Sequence, residues 1–260
     1  MSRHILATVR RRSSAVGLAL EDPALGITCT LNGSRHFYAA SVVKVTILAA
    51  LLRKAQEHHR GLTPKEKARA WKMLTWSDNA SATVLWNDTG RSWLHHFLGL
   101  ARMRHTVLGP DGYWGLTRTT ARDESRQLHL LVTGNNVLTR SGRNYELHLM
   151  ANVIRSQRWG TPAGVPASYQ VHVKDAWLPV TRDGWFVHSL GAFTGRGASY
   201  TVAVLTGHNP RMSYGIATIE AIARTANHDL AARAGGVRTP RRRCRGPHRR
   251  LVPPPPGRRE

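Results

Sequence analysis

The chain has 260 residues, 41% of them hydrophobic and 20% charged, which is the composition of a soluble globular protein with one large domain or two small ones. Basic residues outnumber acidic ones 38 to 15, for a net charge of +23, and just two cysteines, Cys29 and Cys244, exclude a disulfide-rich scaffold and a four-cysteine zinc site. No stretch approaches the roughly 20 apolar residues that cross a bilayer, and the apolar run before Arg10, Arg11 and Arg12 is too short for a signal peptide.

In chain order, residues 16–21 and Ile27–Leu31 are short apolar runs separated by Asp22, Pro23 and Gly26, the pattern of a β-hairpin. Residues 36–40 would add a third extended piece. Residues 41–53 are apolar on nearly every side, which predicts a helix buried in the middle of the protein with Ser41 as its N-cap. Thr63, Pro64, Lys65 and Glu66 form a capping box with proline at the first helical position, opening a helix that runs to about Leu74. Ser77, Asp78 and Asn79 start another, continuing through Leu85. Residues 108–116, with Gly109, Pro110, Gly112 and Gly115, read as a long ordered loop. A further helix covers 119–131, closed by Gly134. The period then changes: 170–173, 184–191 and 199–206 are strand-like, and 216–230 is an amphipathic helix. Hairpin, helical block, three-stranded meander and helix predict an α+β fold in which the N-terminal strands join the later ones in one antiparallel sheet. The eight tryptophans are expected in the core, as is Cys29 in its predicted strand.

The charge is uneven along the chain. Residues 231–260 hold ten arginines against one glutamate, a net of +9, together with six of the 13 prolines. The preceding 230 residues hold 28 basic and 14 acidic residues. Dense charge with little apolar surface cannot offset the entropy of ordering, so the expected organisation is a folded domain over 1–230 and a disordered tail over 231–260. Such a tail can bind nucleic acid or an anionic surface by counterion release. A solvated extension without a selected partner is the simpler reading.

Three short motifs follow one another: Ser41-Val42-Val43-Lys44, Ser77-Asp78-Asn79 and Lys174-Asp175-Ala176. Residues three apart on a helix share a face, so Lys44 can reach the Ser41 hydroxyl. Lys44 lies in the first turn, where the helix dipole disfavours a cation, and Val42, Val43 and Val45 surround it with apolar groups. Both effects favour the free amine, which is what a general base needs. The same helix end offers a backbone N–H beside the nucleophile, half of an oxyanion hole. Each motif also has a plain structural reading. Ser41 could simply cap a helix, Lys44 could extend out of the core along its stem, the Ser-Asp-Asn residues are all good caps, and Lys174 with Asp175 could be a strand-end pair.

Ser-x-x-Lys, Ser-Asp-Asn and a Lys-Thr-Gly-like third motif, in this order, resemble the signature set of class A β-lactamases and penicillin-binding proteins. The likeness spans roughly residues 15 to 230. It includes Ala80, Ser81 and Ala82 after the second motif, Thr119-Thr120 and the helix ending Leu130-Leu131-Val132-Thr133-Gly134, the strands from Gly184-Trp185 to Leu205-Thr206, and Tyr214-Gly215-Ile216 before the last helix. The resemblance implies a β-lactamase/transpeptidase-like fold: an antiparallel five-stranded sheet flanked by helices, beside a helical subdomain, with the site between them. It further implies that Ser41 attacks a β-lactam or acyl carbonyl, Lys44 takes its proton directly or through water, and Ser77 relays a proton to the leaving nitrogen. Asn79 would bind the substrate side-chain amide, Lys174 would attract the substrate carboxylate and orient Ser77, and the backbone N–H groups of Ser41 and Trp177 would form the oxyanion hole. No cofactor and no metal is implied. The substrate would be a small β-lactam or a peptide-like amide, and the protein a monomer.

Two departures bear on turnover. Class A members use an omega-loop glutamate to activate the hydrolytic water, and no glutamate lies between Asn79 and Thr119. Asp88 and Asp111 are the acids there. Asp111, in Pro110-Asp111-Gly112, is read first as a turn residue. The third motif carries Asp175 and Ala176 in place of Thr and Gly. Asp175 would repel a substrate carboxylate if it faced the site, though alternation along a strand can turn it away. The expectation is therefore a serine hydrolase with slow deacylation. The alternatives are a penicillin-binding or peptidase-like protein that acylates and stalls, or an inactive binding module acting through the tail. The family usually works outside the cytoplasmic membrane. The sequence as written carries no export signal, so it either stays inside or starts further upstream.

Overall fold

In the computed structural model the described residues are 1–110, 112–195, 198–234 and 243–245. Strands β1 (Ala15–Asp22) and β2 (Ile27–Leu31) form the expected hairpin, with Gly26 taking the positive φ that the turn requires. β3 (His36–Tyr38) pairs with β4 (Arg118–Thr120) in a small separate sheet. Three long strands, β5 (Gln170–Val180), β6 (Gly184–Gly195) and β7 (Ala198–Asn209), make an antiparallel meander, and β7 pairs antiparallel with β1. The main sheet thus has five antiparallel strands in the order β5-β6-β7-β1-β2, and a three-residue strand β8 (Arg243–Arg245) runs parallel to β2 at its edge.

The side-chain alternation of the strands divides the core in two. Val16, Leu18, Leu20, Val202 and Val204 face helices α1 (Ser2–Arg10) and α8 (Met212–Ala234), where Ile5, Ile219, Ile222, Ala226 and Leu230 complete one apolar cluster. Ala19, Ala203, Leu205, Leu190 and Ala192 face the other way, into a larger cluster with the helical block. That block contains α2 (Val43–Glu57), α3 (Pro64–Thr75), α4 (Asn79–Thr89), α5 (Arg91–Leu100), α6 (Ala121–Val132) and α7 (Arg140–Ala151). A sheet covered on both faces explains why its strands are nearly continuous apolar runs.

α2 has the all-round burial expected of it, with Val43 to Leu51 buried. Its start differs from the expected one. The N-cap is Val42, and Ser41 is the middle residue of a 3-10 turn, Ala40–Val42. A cap oxygen accepts a backbone N–H from the first turn of its own helix, whereas this turn leaves the Ser41 side chain partly exposed beside it. The capping box at Thr63 and Glu66 is formed in full. α1, α5 and α7 lie outside the elements that the sequence pattern predicts. α8 extends four residues past the expected domain boundary at 230, and the remainder of the tail, 235–242 and 246–260, lies outside the described residues. Cys29 is buried in β2 and Trp86 in the helical block, but Trp76 (62% exposed) and Trp71 (40% exposed) lie on the surface, which corrects the expectation of a uniform tryptophan core.

Candidate active site

Lys44 projects from the first turn of α2 and is completely buried. Its Nζ donates to the Ser77 carbonyl at 2.6 Å and to Asn79 Oδ1 at 2.8 Å, and lies 3.1 Å from Ser77 Oγ. The first and second motifs therefore meet through this amine. Burial pushes Lys44 down to about 6, the nearby Lys174 ammonium pushes the same way, and the Asp78 carboxylate opposes both. At neutral pH Lys44 is mostly the free amine.

Asp78 is the cap of α4, its carboxylate accepting the Ser81 N–H at 2.7 Å. That leaves Ser77 and Asn79 on either side of the cap free to face the cleft. Ser77 adopts φ +56° and Ala40, just before Ser41, φ +47°. Left-handed backbone at non-glycine residues costs about 1–3 kcal/mol each and persists where surrounding contacts over-determine it. At Ser77 the Lys44 bond to the carbonyl is one such contact.

Lys174 sits mid-strand on β5, fully buried, rather than at a strand end. Its Nζ donates to Ser77 Oγ at 3.0 Å and to the Asp175 carbonyl at 2.7 Å. Burial lowers its pKa, opposed by the Asp175 carboxylate. The Asp175 side chain points away from this cluster. Its Oδ2 accepts the Trp159 backbone N–H at 2.9 Å, and burial raises its pKa. Strand alternation thus removes the like-charge conflict raised by the sequence. Asp175 holds the Trp159 backbone instead.

β5 is the edge strand of the main sheet, and it packs against the turn that carries Ser41. Trp177, two residues beyond Asp175, is partly buried on that strand. Among the described residues no hydrogen bond joins Ser41 Oγ to Lys44 Nζ. The amine is held by Ser77 and Asn79 instead. Catalytic hydrogen bonds of this kind commonly tighten only once substrate is bound.

One contact could not be read from the motifs. The loop after Leu108 folds over the cleft through a 3-10 turn, Trp114–Leu116, and the Trp114 ring lies over Lys44 with its centroid 4.9 Å from Nζ. The indole N–H donates to Thr83 Oγ1 on α4 at 3.1 Å. Gly109 makes the fold of this loop feasible, because a Cβ there would meet the Tyr113 carbonyl at 2.2 Å. Among the described residues no carboxylate bonds to Lys44. Asp88 pairs with Arg69 at 3.3 Å, and Asp111 lies outside the described residues.

The family model for the beta-lactamase enzyme family matches residues 1–70 and 66–230 of this sequence. The chain belongs to the beta-lactamase enzyme family. None of the curated proteins matches the sequence. Solved structures share the fold at low identity. A beta-lactamase from Sphaerobacter thermophilus is 20% identical, with 89% of this chain and 98% of that one covered and a TM-score of 0.77. A PBP-A mutant in an acyl-enzyme complex with penicillin-G is 19% identical, with 89% and 96% covered and a TM-score of 0.77. A beta-lactamase from Xanthomonas campestris pv. campestris is 17% identical, with 88% and 96% covered and a TM-score of 0.76. Within the beta-lactamase family frame, the amines of the first and third motifs meet at the Ser77 hydroxyl, with an aromatic ring over the Lys44 amine.

Proposed function

We propose that the protein is an acyl-transferring serine hydrolase of the class A type, acting on β-lactams or related amides, with slow deacylation. The observation that carries this reading is the buried amine of Lys44, bonded to Ser77 and Asn79 within one helical turn of Ser41. As a free amine, Lys44 directs its two N–H groups to the Ser77 carbonyl and Asn79 Oδ1, and its lone pair is available to a hydroxyl proton. Ser41 Oγ attacks the substrate carbonyl while Lys44 takes its proton, directly or through one water. The C–N bond breaks as Ser77, held by Lys174, delivers a proton to the leaving nitrogen. Lys44 in turn reprotonates Ser77. Asn79 Oδ1 is occupied by Lys44, which leaves its exposed NH₂ to donate to a substrate amide carbonyl. Lys174 draws a substrate carboxylate to the cleft, and the N–H groups of Ser41 and Trp177 hold the oxyanion. The shared fold of a protein captured as an acyl-enzyme with penicillin-G supports the substrate class.

Intact-protein mass spectrometry over time after mixing with a penicillin tests the reading. The expected result is an adduct of the full penicillin mass on Ser41 that outlives the mixing by many minutes, and no adduct on Ser41→Ala. A Ser41→Ala protein that still acylates would overturn it.

A further inference from the structure

We infer that Trp114 keeps water off the acyl-enzyme, making it the residue that sets the adduct's lifetime. The inference rests on the acyl-enzyme reading above. A water bridging the Lys44 amine and the ring face needs about 6 Å, one hydrogen bond of about 2.9 Å plus a van der Waals contact. The ring centroid is 4.9 Å from Nζ, so no water fits between them. The ring therefore excludes water from one face of the amine that could activate it.

The cover is held from three directions. Trp114 Nε1 donates to Thr83 Oγ1, and Thr83 Oγ1 donates to the Asn79 carbonyl at 3.1 Å, tying the indole to the helix that also holds Lys44. The turn bearing Trp114 packs on the turn bearing Ser41. The Ala39 N–H donates to the Thr117 carbonyl at 2.6 Å, and the Gly109 N–H to Thr117 Oγ1 at 3.0 Å. The indole is therefore a fixed part of the site.

Removing the ring opens a cavity beside a free amine. Water enters it, gives a proton to Lys44 Nζ and attacks the acyl carbonyl. The ester C–Oγ bond then breaks, Lys44 returns the proton to Ser41 Oγ, and a carboxylic acid leaves. No oxidant or further reactant is needed.

The test is the half-life of the penicillin adduct on Ser41, by mass spectrometry, with ring-opened product measured alongside. Trp114→Ala is expected to shorten it about 100-fold, the low end of what a positioned general base contributes. Trp114→Phe, which keeps a ring over the amine, should stay within a few-fold of wild type, and Trp114→Leu should fall between. Trp71→Ala, a surface tryptophan on α3, controls for the loss of an indole and should leave the half-life unchanged. Should Trp114→Ala fail to fold, Trp114→Leu against Trp114→Phe decides the question. Equal half-lives across the Trp114 series, or equal shortening in Trp71→Ala, would overturn the inference alone. Absence of any adduct on wild-type Ser41 would overturn the acyl-enzyme reading and this inference with it.

Discussion

Lys44→Ala is expected to slow adduct formation on Ser41 by on the order of 10²- to 10⁴-fold, the range a positioned general base supplies. The wild-type acylation rate should fall as pH drops through about 6, because the amine pushed down to about 6 by burial and by Lys174 then takes up a proton and can no longer accept one from Ser41. Lys44→Arg separates this from a positional role. A guanidinium can donate to the Ser77 carbonyl and Asn79 Oδ1 much as the amine does, but it stays protonated at every usable pH. It should be about as slow as the alanine variant, with no midpoint near 6. Adduct formation followed between pH 4.5 and 9 gives both readouts. An arginine variant that keeps the wild-type rate and profile would remove Lys44 from the base role and leave it as a scaffold for Ser77.

The parts of the fold legible in the sequence are those where a local pattern and the tertiary requirement coincide. The capping box at Thr63 and Glu66, the apolar helix after Ser41 and the alternating strands from Gln170 onward are of this kind. α1 gives little signal because most of its residues are polar or basic and just Ile5 is deeply buried, against α8. α7 is obscured for a different reason. Its inward face includes a carboxyl, Glu146, which breaks the apolar stripe by which an amphipathic helix is recognised. α5 carries Leu94, Phe97 and Leu98 at helical spacing, an apolar stripe that is legible in the sequence.

For the site, motif order led to Ser41, Lys44, Ser77, Asn79 and Lys174, and the amines of the first and third motifs do meet at Ser77. Two features depend on three-dimensional placement. Asp175 is adjacent to Lys174 in sequence but faces Trp159, because neighbouring side chains on a strand take opposite sides. Trp114 reaches Lys44 across 70 positions of sequence through a loop that has no periodicity. Its sole sequence signal is an aromatic pair, Tyr113-Trp114, in an otherwise glycine-rich loop.

Glu146→Gln is expected to make stability fall less steeply with rising pH. Glu146 is completely buried in α7, both its carboxyl oxygens are without a hydrogen-bond partner among the described residues, and burial raises its pKa well above the ordinary value. The native state therefore keeps a proton that the unfolded chain releases above about pH 4.5. Stability from this group is complete below the unfolded pKa and is lost as pH rises toward the native one, at about 1.4 kcal/mol per pH unit. Glu124, pushed up to about 8 by burial, has the same sign. Lys44 has the opposite sign in the same window: above about 6 the native amine is free while the unfolded chain still carries the proton, so its share of stability grows with pH. The total slope mixes these contributions, but the difference between wild type and variant isolates one proton. Urea unfolding at pH 5.5 and pH 8 should give a pH-dependent stability loss smaller in Glu146→Gln by about 1.4 kcal/mol for each unit over which the native carboxyl stays protonated. Glu146→Leu should reduce the slope equally and also raise stability at pH 8, since it removes a partnerless polar group in place of substituting another. An unchanged slope in both variants would mean that Glu146 ionises in the folded protein and that a partner or a water reaches it.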